Sequence, residues 1–194
     1  MRKILRFVFV EWHTLRSFYS KEAINMLLLY EYSNQNITEF QAFCNSSLSQ
    51  AEKEKIFIPT YDCMKKYQGT WHIEPRPVFQ DCMLIECENK ENLIQTLNQN
   101  QCPTDIVQSI AAQTIHLHPE QQKFLQDLMD QNRRIQMSTG YIKDGSTHVT
   151  EGPLQGKENL IRRIDRHKRL ARLEIPMGNK VREMCAGLEI TSKS

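Results

Sequence analysis

The chain predicts an α+β unit followed by a smaller all-β module, and three observations carry that reading. Up to residue 130, short apolar runs alternate with segments of helical periodicity and are joined in part by hairpin signals. From about Met137 the pattern changes to β-branched and leucine-rich runs around Gly152-Pro153-Leu154-Gln155-Gly156, a turn in which proline presets φ and glycine relieves the steric limits on reversal. Charge divides the chain in the same place. Residues 143–194 hold eleven Lys/Arg against seven Asp/Glu, net +4, while residues 1–142 hold fourteen against sixteen, net −2. At 194 residues and 40% hydrophobic content, two small cores fit better than one.

Residues 26–32, Met-Leu-Leu-Leu-Tyr-Glu-Tyr, have the length of a buried strand, and Ser33-Asn34-Gln35 closes it as a turn. Asn36 with Glu39 forms a capping-box pattern for a helix whose Ile37, Phe40, Phe43, Cys44 and Leu48 share a face. Lys55–Tyr61 reads as a second strand limited by Pro59, which cannot donate to a central ladder. Tyr67-Gln68-Gly69-Thr70-Trp71 suits a hairpin tip with exposed aromatic arms. Residues 78–87 are apolar on both faces around Cys82-Met83-Leu84-Ile85, as in a central strand. Asn89 caps a helix to Asn98 with Leu93, Ile94 and Leu97 inward; residues 105–110 form a weaker strand; Pro119 opens a third helix carrying Phe124, Leu125, Leu128 and Met129.

Residues 157–172 carry seven basic side chains against two acidic ones, a density that favours a polyanion or else forms a solvated face. Arg162, Arg163, Arg166, His167, Lys168, Arg169 and Arg172 flank two strands and their connection, while Leu160, Ile164, Leu170, Leu173 and Ile175 fill the interior between them. Guanidinium forks suit phosphate and also stack on unpaired bases. The six cysteines lack paired spacing, so reduced thiols are expected; neither zinc-ligand spacing, a nucleophile–base arrangement nor a phosphate loop appears. Residues 1–10 are basic and then apolar but are interrupted at Glu11, and no run reaches the ~20 apolar residues of a membrane span, which points to the cytoplasm.

The turn Thr147–Gly156 followed by Leu160–Leu170 resembles a KOW motif. The order Phe57-Ile58-Pro59, Gly69-Thr70-Trp71, Val78-Phe79 and Pro119-Glu120 ahead of it is similar to the NusG family of transcription elongation factors. Met137–Ile142 and Ile164–Leu170 resemble the specialised LoaP-type paralogues of that family. The resemblance implies an extension at 1–25 without a family counterpart, with Met26 a candidate start; an NGN domain at 26–130 with a four-stranded antiparallel sheet flanked by helices; a linker at 131–140; and a KOW domain at 141–194, a five-stranded Tudor-like barrel.

It further implies a monomeric binding protein, neither an enzyme nor a cofactor carrier, that suppresses RNA polymerase pausing and termination. Its NGN domain would hold the clamp helices of the largest polymerase subunit through Tyr30, Cys82 and Leu84, and reach the gate loop through Gln95 and Thr96. Its KOW domain would contact nascent RNA, for instance a hairpin, or another factor. Gln80-Asp81-Cys82 replaces the family's Pro-Gly-Tyr, which removes an aromatic anchor from that contact; Asn159 replaces a turn glycine; and Pro176-Met177-Gly178-Asn179 lacks the residues used for ribosomal coupling. The alternative is a ribosomal-type KOW protein whose N-terminal half serves as scaffold.

Overall fold

Leucine and isoleucine alternation along β1 (Met26–Glu31) and β5 (Cys82–Cys87) sets the architecture, because each strand carries an apolar residue to both faces of one sheet. The computed structural model describes residues 26–32 and 34–194, so the extension at residues 1–25 lies outside the described region. The fold is α+β, with three mostly antiparallel sheets and, among the described residues, five α-helices.

β1 and β5 pair antiparallel from Met26↔Cys87 to Glu31↔Cys82 and form the centre of a four-stranded sheet. β2 (Ile56–Phe57) and β6 (Thr114–His116) are its edges, in the order β2-β5-β1-β6. One face, bearing Leu28, Tyr30, Met83 and Ile85, is covered by α1 (Asn34–Ser47), α3 (Lys90–Gln99) and α4 (Thr104–Gln113), with the short α2 (Gln50–Lys53) leading into β2. Asn89 caps α3 as its sequence predicts, its side chain accepting from Asn92 N at 2.7 Å. α5 (Pro119–Leu128) opens at its proline and places Leu125 and Leu128 against the opposite face.

Three local expectations are corrected. Helix α1 starts at Asn34 rather than after a cap at Asn36, because the chain leaves the sheet directly after Glu31↔Cys82 and the Tyr32 N–H bond to Asp81 O. Residues 105–110 are helical, within α4: Ile106, Val107 and Ile110 share one helix face and are buried, a spacing that their β-branched chemistry obscured. The apolar run at 55–61 is divided. After β2 the chain kinks at Ile58-Pro59, and β3 (Thr60–Tyr67) pairs with β4 (Thr70–Pro77) in a separate sheet through a two-residue turn, Gln68 and Gly69 both at positive φ.

The proposed linker at 131–140 is structured. β7 (Arg134–Ile135) runs parallel to β3, and Ile135 is fully buried. The C-terminal module comprises β8 (Ser138–Lys143), β9 (Ser146–Glu151), a 3₁₀ turn (Glu158–Leu160), β10 (Ile161–Asp165), β11 (Leu170–Met177) and β12 (Lys180–Lys193). Its ladder order, β10-β11-β12-β8-β9, is that of an open five-stranded sheet and not of the closed barrel expected. β9 and β10 are its edges, and the 3₁₀ turn between them is tied to β9 where Val149 N donates to the Glu158 carboxylate at 3.1 Å.

Two cores exist, but they are divided by the faces of the first sheet and not by sequence module. Leu27, Leu29, Cys82 and Leu84 belong to one continuous cluster with Leu173, Ile175, Met184, Ala186 and Leu188 of the C-terminal sheet. Polar groups cross the same seam. Arg182, 7% exposed, lies against the carboxylate of Glu31 and 3.7 Å from that of Asp81, and Lys180 reaches Glu31 at 2.6 Å. The Arg182–Glu31 approach is a charge contact without hydrogen-bond geometry, the Arg182 Nε has no partner among the described residues, and burial pushes the guanidinium pKa down. Gln121 Nε2 donates to the carbonyls of Pro176 and Gly178, each at 3.3 Å.

A shared core predicts one cooperative unfolding transition, with near- and far-UV circular dichroism coinciding. Arg182→Ala removes a buried side chain from the seam while Glu31 keeps Lys180, and is expected to cost about 1–3 kcal/mol in urea denaturation, whereas Arg182→Met, which retains apolar volume, costs less.

Candidate nucleic-acid interface

The basic turn between β10 and β11 is shaped by Asp165, whose Oδ1 accepts from Lys168 N at 3.0 Å, and by Arg169, which closes the turn at φ 50°. This geometry holds Arg166, His167 and Lys168 outward and exposed, with no carboxylate paired to Arg166 among the described residues. Lys168 sits 3.9 Å from Asp165, a loose and solvated pair.

The seven basic residues singled out by sequence are not equivalent. Arg162 donates to Glu174 at 3.1 Å and to Asn159 O at 3.1 Å; Arg172 pairs with Glu183, whose hydrogen bond raises the guanidinium pKa. Both charges are offset across the sheet. Arg163 lies opposite Arg172 in the ladder, exposed and without an ion-pair partner among the described residues. Arg169 is half-buried, 3.2 Å from Glu189, with its guanidinium 4.1 Å from the centre of the Trp71 ring. Of these seven, the field available to a polyanion therefore comes from Arg163, Arg166 and Lys168, and Arg169 instead joins the turn to the β3–β4 hairpin.

That hairpin is the part of the surface that charge counting missed, although its aromatic-flanked glycine was a sequence signal. Lys66 lies 6.0 Å from the Trp71 ring, and Tyr67 stacks on His72 at 3.8 Å and 9°.

The residues expected to grip a polymerase are placed differently from that expectation. Tyr30, Cys82 and Leu84 are all fully buried, so they form no surface patch. Tyr30 points to the helical face, its hydroxyl 2.9 Å from Ser109 Oγ and its ring edge-on to Phe40; Cys82 and Leu84 point to the opposite face, into the cluster that α5 and the C-terminal sheet share. Strand alternation separates them, since Tyr30 opposes Met83 in the register while Cys82 and Leu84 fall on the other side of the pleat. Gln95 is exposed in a shallow depression with Ile94 and Ala111, and Thr96 faces a different depression beside Glu52 and Lys55, so the two diverge around α3.

All six cysteines are free. Burial pushes the Cys44 thiol up to about 11 and that of Cys102 up to about 12, and it raises Cys82 as well, helped by the Asp81 carboxylate that its Sγ faces at 3.1 Å. Among the described residues, no three His, Cys, Asp or Glu converge on a metal-sized site, and no helix is long and apolar enough to cross a membrane. No protein-family model matches the chain, and the comparison with curated proteins finds no match.

Two outcomes follow from this geometry. At pH 8, alkylation of Cys44 and Cys102 in the folded protein should run roughly 100-fold or more below that of an unperturbed thiol, because a raised pKa leaves little thiolate; mass spectrometry of timed quenches reads this. If phosphates bind the turn, Arg163→Gln with Arg166→Gln lowers the salt slope of single-stranded RNA binding by about 1.4. Arg162→Gln with Arg172→Gln barely changes it.

Proposed function

We propose that this chain is a transcription elongation and antitermination factor of the NusG type, in which residues 26–130 correspond to an NGN domain and the C-terminal sheet to a KOW domain. In this reading the N-terminal unit associates with the largest subunit of RNA polymerase, and the basic turn contacts nascent RNA. The observation that carries it is the combination of a helix-flanked, four-stranded antiparallel sheet with a small β module whose one cationic turn is held outward by Asp165. Its mechanism is binding: tethering to both the enzyme and its transcript holds the complex together, and the second contact forms at raised effective concentration.

The burial of Tyr30, Cys82 and Leu84 favours a second reading, a ribosomal-type RNA-binding protein in which the N-terminal unit is scaffold. Under the first reading, contact through the face bearing Cys82 and Leu84 requires the elements packed on it, α5 and the C-terminal strands, to move off it. The alternative requires no such movement.

Co-precipitation with purified core RNA polymerase separates the two. Stable association, weakened by Leu84→Ala in a variant that keeps its circular dichroism spectrum, supports the elongation-factor reading. Wild-type protein that binds RNA but does not associate with polymerase supports the scaffold reading. A single-round transcription assay over a terminator then measures read-through directly.

A further inference from the structure

The β3–β4 hairpin presents rings at a place where the fold has no core for them to join. Tyr67, at the last ladder position before the turn, is 46% exposed, and its inner face lies on the His72 imidazole at 3.8 Å and 9°. Its outer face is covered by no other aromatic ring among the described residues. A cross-strand pair of this kind stabilises a hairpin by a few tenths of a kcal/mol to about 1 kcal/mol, which accounts for the inner face and not for the open one.

His72 Nε2 is inaccessible to solvent and has no hydrogen-bond partner among the described residues, so the imidazole is held by stacking. On the other face of the hairpin, Trp71 lies between the Arg169 guanidinium at 4.1 Å and the Lys66 ammonium at 6.0 Å. Arg169 is the final residue of the basic turn, so that turn, with the exposed cations Arg166 and Lys168, sits on the Trp71 side of the hairpin tip, and Tyr67 and His72 lie on the other. Lys65, beside His72 in the register, adds a further cation, partly offset by Glu74 at 2.8 Å.

We infer that the hairpin tip and the 166–169 turn form one composite site for single-stranded nucleic acid, in which an unpaired base stacks on the open face of Tyr67 and extends the Tyr67–His72 stack. A strand passing round the Gln68-Gly69 turn brings its flanking phosphates toward Arg166 and Lys168 on the Trp71 side. The inference deepens the RNA reading of the basic turn and rests on it. Two features select single strands: a ring open on one face accepts any unstacked base, and a duplex offers none without paying to unstack a pair. The cations supply affinity without sequence and the ring supplies the discrimination.

The test uses the full chain in which Trp12→Phe leaves Trp71 as the sole tryptophan reporter. Fluorescence anisotropy follows binding of a labelled uridine oligoribonucleotide, its deoxythymidine counterpart and a blunt RNA duplex, without polymerase. The expected result is single-strand binding that quenches Trp71. Tyr67→Ala weakens it about tenfold with the salt slope and duplex binding unchanged, and Tyr67→Phe restores it. Equal affinity for the deoxy strand supports a site that reads base and phosphate irrespective of sugar; tighter RNA binding assigns it to RNA. Wild-type single-strand affinity in Tyr67→Ala, or duplex bound as tightly as single strand, overturns the composite site and leaves the phosphate-binding turn intact. No binding of any of the three by unmutated protein at low salt removes the basic-turn reading itself. Tyr67 is at an exposed tip, so an unchanged melting curve confirms that its variants are folded.

Discussion

The rest of the structure depends on the burial of one face of the β1–β5 pair in a cluster that α5 and the C-terminal strands share. Each large aliphatic side chain removed from water there contributes roughly 1.5–3 kcal/mol, and Leu27, Leu29, Leu84, Leu173, Ile175 and Leu188 all lie in the same cluster. Neither half satisfies its apolar surface alone. The hairpin, β7 and the last strand contribute Tyr61, Ile135 and Leu188 to this cluster, and the cationic turn inherits its position from them.

The charges at that seam act in the opposite sense to the apolar side chains. Arg182, Glu31, Asp81 and Lys180 bring two cations and two anions to a site where solvent is largely excluded around Arg182, and desolvation offsets much of their attraction. Their value is orientation. A mismatched docking of the two sheets would leave the guanidinium facing aliphatic side chains, so the set penalises wrong arrangements more than it stabilises the right one.

Much of the fold was legible in the sequence, and the parts that were not share a cause. The central position of β5 followed from its two-faced apolar run, the cap at Asn89 and the start at Pro119 from local chemistry, and the hairpin from its aromatic-flanked glycine. Helix α4 was misread because Ile106, Val107 and Ile110 satisfy both strand chemistry and helical spacing in a short window. The merged core was invisible: local periodicity says that Cys82 and Leu84 have an apolar face, and only the tertiary arrangement says what covers it. Of the seven basic residues, sequence could not separate Arg162 and Arg172 from the rest, since Glu174 and Glu183 become their partners through strand pairing and not through neighbourhood along the chain.

Gly187 sits where β12 passes over β3. A Cβ built there would fall 2.4 Å from the carbonyl oxygen of Asp62 and 2.2 Å from the sulfur of Met137, closer than any side chain tolerates, although its φ is ordinary. Sliding the last strand by one position would put Ala186 or Leu188 at this crossing and drive a methyl or isobutyl group into a main-chain oxygen. The missing side chain thus works as an alignment notch: the longest strand can dock at only one offset, and through Leu170↔Gly187 that offset sets how far the cationic loop projects past the hairpin.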